Sequence, residues 1–513
     1  MKNRIHNSIF WIVAVSAILV GCNNSGHKNH PDIYAIPLMA GEPTGNSVIL
    51  QARLTASDTV IYGDVHHADS IRKADIQGKE GIGRFLLSED PGMAGLYRSA
   101  WLAASAGRDF IIRHKASGLK PGTRYYYRLQ YGEDTVHTVL SGIQSFETLP
   151  GEDVSKAVSF VMVTGSNLDR FYLGGGFGKP SSQGGEAYTA DDKYLGFPGY
   201  DAILKLKPSF FIGNGDNVYY DQPPGFEAKT RDELRAKWHR IFYQPRFRNL
   251  MAEIPTVWLK DDHDHRFDDS DTVSVHPSFG SEPSHPLGVE TFLEQVPLMP
   301  HEQVDGVTYR TMIAGKLLQI WMVEGRDYRS PNAMPDGPDK TLWGEEQLKW
   351  LKNSLLESQA DFKILVSPTP MVGPDDARKR DNHVNHDGFR TEGDTFFKWL
   401  KENDFLNKNF YIICGDRHWK YHSIHPLGFQ EFSCGALVDQ NSRIGRSPGD
   451  RASSDPEALI SQPFSDTQPT GGFLRVAVKP GDQTDNVPVI DFDLFDQYGK
   501  LLYRYSGKAF RQP

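Results

Sequence analysis

IPTVWLKDDHDHRFDD, residues 254–269, passes from an apolar run straight into charge. Residues 254–259 suit a buried strand, yet nine of the ten residues at 260–269 can be charged, among them five aspartates and two histidines. Carboxylates gathered away from water are costly unless cations neutralise them. The stretch is therefore either a solvated surface loop or one wall of a metal site, and its neighbours decide between the two. SFVMVT is followed by Gly165-Ser166-Asn167, SFFIGN by Gly215-Asp216-Asn217-Val218-Tyr219-Tyr220-Asp221, and FYIIC by Gly415-Asp416-Arg417-His418. Ligands of open α/β sheets bind beyond the carboxyl ends of the strands. The four strand ends are thus expected on one edge of one sheet, where metal ions would offset their charge.

Between residues 157 and 414, apolar runs five to eight residues long alternate with segments of helical periodicity such as GEEQLKWLKNSLLES. Runs of this kind read as strands buried on both faces, and the alternation indicates an α/β layer architecture. Residues 33–150 differ. NSVILQARL, TVIYGDV, RDFIIRHKASGL and RYYYRLQYG are short strands between turns, as in a small all-β module of fibronectin or immunoglobulin type. The chain returns to strands at its end, with a hairpin expected around Gln497-Tyr498-Gly499. Residues 441–470 are rich in turn formers and are expected to be a long surface excursion.

The motifs carry a family resemblance. GDNVYYD resembles the GDxxY motif of metallophosphoesterases; DDHD at 261–264 stands where that superfamily has GNHE, and GDRH at 415–418 where it has GHxH. Their order, together with WGEEQLKWLKNSLLES ahead of ILVSPTP, resembles the PhoD-like alkaline phosphatase/phosphodiesterase family. The resemblance implies a layered α/β sandwich over 155–513 behind a β module at 33–150. It also implies hydrolysis of small phosphate esters by metal-activated hydroxide. Carried over by position, Asp216 bridges the metals, Tyr219 binds one of them, Asp262 replaces an Asn ligand, and Asp416 and His418 complete the set. His263 becomes the proton donor or oxyanion stabiliser beside the leaving group. Arg326, within VEGRDYR, either binds phosphate or pairs with a carboxylate. His383, within RKRDNHVNHDGF, is a candidate for the substrate cleft.

One departure stands out. The family's first strand ends in Ser-Cys-Gln, whereas this one ends in Ser166-Asn167-Leu168. Without that thiolate the donors are carboxylate, phenolate and imidazole, which suit Mg, Ca, Mn or Zn and do not exclude Fe. Asn167 ligates through its amide oxygen, holds a water, or does neither. Two other activities remain open: a phosphodiesterase or phospholipase-D-like hydrolase, and a non-catalytic surface protein with a structural metal site. Asp264, His265, Asp268 and Asp269 extend the charged wall without being assigned as ligands, and His114 and His239 are read as structural.

Composition limits the partners. A formal charge of −9 and a pI near 6.1 disfavour general binding of nucleic acid, whose phosphates need a basic face. At the start, Lys2 and Arg4 precede the apolar residues 8–20 and then Gly21-Cys22. This is the order of a secretory signal, with a lipobox at Leu19-Val20-Gly21-Cys22. Residues 1–21 are expected to be removed, Cys22 to carry lipid, and 22–32 to tether an exported protein to the envelope. Cys414 and Cys434 form a disulfide or remain two buried thiols.

Overall fold

The computed structural model describes residues 32–59, 75–174, 185–278, 280–299, 307–482 and 485–510. The signal segment, Cys22 and most of the tether lie outside the described residues, as does the strand expected at TVIYGDV.

Val158–Val163, Phe210–Asn214 and Thr256–Leu259 run parallel, side by side. They form the centre of a nine-stranded sheet. Its order is Leu501–Lys508, Val489–Asp496, Gly472–Lys479, Val158–Val163, Phe210–Asn214, Thr256–Leu259, Tyr34–Gly41, Ser47–Thr55 and Ile111–Ser117. The remaining buried runs, Leu318–Met322, Phe362–Ser367 and Phe410–Cys414, are parallel in a second sheet of seven strands. The expected single sheet is therefore two. Phe160, Met162, Phe210 and Val257 of one share a core with Ile320, Met322, Ile364 and Ile413 of the other. An apolar run records burial on both faces; it does not record which sheet supplies the cover.

Helices close the outer faces. Pro198–Leu206, Arg231–Phe242 and Pro245–Met251 pack over Val161, Val163, Phe211 and Trp258. On the other side Glu345–Glu357 and Arg390–Glu402 cover Trp321, Leu365 and Ile412. The long periodic stretch at 229–251 starts with a Thr230/Glu233 capping box and breaks where Pro245, which has no N–H, opens a second helix. The result is the layered α/β sandwich that the alternation of runs implied.

The N-terminal segment shares this framework. Tyr34–Gly41 pairs in parallel with Thr256–Leu259, so the nine-stranded sheet continues into it without a break. A further sheet, centred on Gly81–Ser88 and Arg124–Gly132, packs on that extension through Leu38, Val48, Leu50, Phe85, Tyr127 and Leu129. His239, from Arg231–Phe242, ties the segments together. Its Nδ1 lies 2.8 Å from Asp75 Oδ1 and its Nε2 2.5 Å from Asp109 Oδ2. Cys414 and Cys434 are buried free thiols.

Candidate functional site

The carboxyl ends of Val158–Val163, Phe210–Asn214, Thr256–Leu259 and Phe410–Cys414 meet at the seam between the two sheets, where Asn214 Nδ2 donates to Ser367 O at 2.9 Å. A Cβ on Gly415 would stand 2.5 Å from Asn214 O, so the chain crosses here through glycine. Each Gly-Asp turn then places its aspartate in left-handed backbone, with φ 53° at Asp216 and 56° at Asp416. That region is uncommon for residues other than glycine, asparagine and aspartate, and it concentrates at functional sites.

The side chains interlock. Asp216 Oδ2 accepts a hydrogen bond from Tyr219 OH at 3.0 Å and lies 3.2 Å from His418 Nε2. Asn441 Nδ2 donates to the same Tyr219 oxygen at 2.8 Å. The Tyr219 ring packs against His263, centroids 4.3 Å apart, and Asp221 Oδ1 holds His263 Nδ1 at 2.8 Å. Asp262 accepts the backbone N–H groups of His263 and Asp269 at 3.0 and 2.6 Å. Asp264 turns away from this group. It accepts Asn217 Nδ2 and the Asp261 N–H, each at 2.6 Å, and so locks the GDNVYYD and DDHD loops together. Asp216, His263, Asp416 and His418 line a cavity of about 80 Å³, whose walls also include Arg170, Lys379 and Arg443.

These residues fit a metal centre. Asp216, Asp262 and His263 bring one ligand atom each within 4.8 Å of the others, and so do Asp262, Asp269 and Asp381. Asp216 Oδ1 is buried without a hydrogen-bond partner. Burial, reinforced by Asp262, Asp261 and Asp416, holds the Asp216 carboxyl well above the ordinary carboxylate range. Burial and Asp381 do the same to Asp269. A cation reverses that balance, and carboxylate oxygen with imidazole nitrogen suits hard and borderline ions. Asp269, set aside on sequence grounds, thus belongs to the second group. Asp262 is common to both groups. In a third group, His265, His285 and Asp327, local partners take up part of the ligand capacity, while His265 Nδ1 is buried without a hydrogen-bond partner. Lys260 Nζ pairs with Glu324 and Asp327 at 2.6 and 2.7 Å, and the two imidazoles are hydrogen-bonded at 2.7 Å.

The model of the family described as PhoD-like phosphatase matches residues 183–470, and that of its N-terminal domain matches 22–150. This chain belongs to the PhoD-like phosphatases. It is a phosphate-ester hydrolase. It is 21% identical over 509 residues to alkaline phosphatase D of Bacillus subtilis (strain 168), covering 90% of this chain and 78% of that protein. Among solved structures, PhoD aligns with a TM-score of 0.67 at 18% identity, over 92% of this chain and 90% of that one. A purple acid phosphatase from yellow lupin (Lupinus luteus) seeds aligns at 0.54 and 11%, over 92% and 74%. The fold is common to all three.

Three residues singled out by the PhoD-like resemblance lie elsewhere than expected. Asn167 caps the helix Leu168–Leu173, its Oδ1 accepting Arg170 N–H at 2.9 Å while Nδ2 donates to Gln222 at 2.8 Å. Its amide is thus engaged by local structure through both its oxygen and its nitrogen. Arg326 is 0% exposed and stands behind the site. Its Nε donates to Asp261 Oδ1 at 2.6 Å, Nη1 to Ser270 O at 2.9 Å and Nη2 to Asp381 Oδ2 at 3.4 Å. It is the carboxylate partner, not a phosphate binder. His383 is outside the cavity, buried with Nε2 2.9 Å from Glu392 Oε2 and its ring 4.6 Å from that of Trp343. The excursion at 441–470 is mostly at the surface, as expected, but it buries Asn441, Ser442, Ser453 and Ser454 and brings Arg443 to the cavity. Its first residues, Asn441 to Arg446, line the cavity and the groove.

Proposed function

We propose that this enzyme hydrolyses phosphate monoesters in the 80 Å³ cavity, with metal ions held by Asp216, Tyr219, Asp262, Asp416 and His418 together with Asp269 and Asp381. The observation that carries this reading is the buried, unpartnered Asp216 Oδ1 amid converging carboxylates. Bound ions would neutralise that cluster, polarise a phosphoryl oxygen and lower the pKa of a water. Asp221 fixes the His263 ring through Nδ1, so the nitrogen left to act is Nε2, which lies 3.7 Å from Asp268 Oδ1. Burial disfavours the imidazolium, and the Asp221 carboxylate at Nδ1 offsets it. As water adds to phosphorus and the P–O bond to the leaving group breaks, Nε2 gives its proton to the departing alkoxide.

The small cavity opens onto a groove of about 510 Å³ and shares Asp268, Lys379 and Arg443 with it. A terminal phosphoryl group suits the inner space while the organic part stays outside. The same groove supports a diesterase as second reading, since it has room for another ester arm. Initial rates on p-nitrophenyl phosphate and bis-p-nitrophenyl phosphate, with Asp216→Ala as blank, separate the two. The monoester is expected to be faster; a faster diester reverses the assignment. Asp216→Ala is expected to lose metal and turnover together, and His263→Ala to keep metal and lose kcat. Normal turnover by Asp216→Ala would place the site elsewhere.

The same proposal includes export and lipid attachment at Cys22, supported by Lys2, Arg4, the apolar residues 8–20 and Leu19-Val20-Gly21-Cys22. Cys22→Ser should move the protein from membrane to soluble fractions; an unchanged distribution refutes the anchor.

A further inference from the structure

With Arg326 buried behind the metal wall, the phosphate-binding cation must come from another segment. Four basic side chains, Arg378, Lys379, Arg443 and Arg446, line the wider groove. Two are engaged by carboxylates outside the metal groups, Arg378 by Asp376 and Arg446 by Asp376 and Asp450, and Lys379 pairs with the proposed ligand Asp269. Arg443 differs. Its backbone N–H donates to His418 O at 3.0 Å, which pins it beside a proposed ligand. Its guanidinium lies 5.4 Å from the Trp419 ring centroid, and no carboxylate among the described residues is within ion-pair distance of it. The next turn keeps the loop against that indole, since a Cβ on Gly445 would stand 1.8 Å from Trp419 Cε2. Arg443 also lines both the groove and the catalytic cavity.

We propose that Arg443 binds the phosphoryl oxygens of the substrate at the mouth of the catalytic cavity, with the leaving group directed along the groove between residues 375–379 and 443–446. The inference rests on the monoesterase reading above and adds the residue that recognises the phosphate. A planar guanidinium presents a fork of N–H donors that matches two phosphoryl oxygens. The cation–π contact with Trp419 holds the guanidinium near the mouth before substrate arrives.

The test uses the full mature chain with its metals. Arg443→Gln retains a stem that can lie on Trp419 and removes the charge. It is expected to keep wild-type metal content, to lower kcat/KM for p-nitrophenyl phosphate roughly 10- to 100-fold, chiefly through KM, and to weaken inhibition by inorganic phosphate to a similar extent. Arg443→Lys should recover part of both losses, because charge returns without the fork. A role confined to packing the loop would leave phosphate inhibition unchanged. Wild-type KM and phosphate inhibition in Arg443→Gln, with metal intact, would overturn the proposal. If wild type itself turns over no phosphate ester, the monoesterase reading fails, and phosphate titration by calorimetry on wild type and Arg443→Gln still decides the arginine's role.

Discussion

Replacing Arg326 with methionine separates two roles for that residue that the sequence left open. The guanidinium is fully buried and faces Asp261 at 2.6 Å and Asp381 at 3.4 Å. At an effective dielectric of 20 the nearer pair alone is worth about 6 kcal/mol of Coulomb attraction, most of it offset by desolvation. Removing one partner of a buried pair leaves an uncompensated charge and costs about 3–5 kcal/mol. The Arg326→Met protein should therefore unfold at a urea concentration lower by roughly 1–1.7 M, taking a slope near 3 kcal/mol per M. Adding Asp261→Asn removes the stranded charge and should restore a large part of that loss. The assay is equilibrium urea unfolding with chelator and with saturating metal, alongside phosphate inhibition of the folded enzyme. The reasoning fails if Arg326→Met is as stable as wild type while phosphate inhibition disappears, because the arginine would then be touching substrate.

Asp269→Asn should lower the bound-metal stoichiometry, read by elemental analysis, because Asp269 completes the group with Asp262 and Asp381; unchanged stoichiometry returns it to the surface wall. His383→Asn loses the contacts to Glu392 and Trp343 and should cost about 1–3 kcal/mol in unfolding free energy, with kcat/KM of the folded fraction unchanged. A selective fall in kcat/KM would put His383 back in the cleft. His239 supplies a pH dependence. Burial and Arg53 oppose its protonation, but Asp109 and Asp75 outweigh them and raise its pKa. Its stabilisation is therefore complete below the unfolded value near 6.5 and is lost as pH rises through the raised folded value. The stability gap between wild type and His239→Gln, roughly 2 kcal/mol at pH 6, should shrink toward pH 9 in urea midpoints; a gap that widens with pH contradicts the pairing.

Much of the site was legible because its chemistry is contiguous. Asp216 and Tyr219 share one turn, Asp262 and His263 another, Asp416 and His418 a third, and each turn directly follows an apolar run. Residues whose role depends on a distant partner were harder. Asp269 reads as one more charge in a charged loop until Asp381 is folded against it. Asn441 and Arg443 sit in a stretch whose composition is that of a surface loop, and only their approach to Tyr219 and the cavity marks them. His383 erred in the other direction and Arg326 stayed open between two partners, because a polar residue beyond a strand can face either the cavity or the protein behind it.

The sequence by itself determined the alternation of buried strands and helices, the turns that carry aspartate and histidine, and the charge imbalance that calls for cations. Those follow from local period and from the cost of unpaired charge, which act at short range along the chain. Tertiary structure alone decided that the strands divide between two sheets, that the N-terminal segment extends one of them, and that Asp262 belongs to both ligand groups. It also decided which arginine is closed in behind the site and which lines its mouth. These depend on which surfaces cover one another, and burial written into a sequence is silent about its partner.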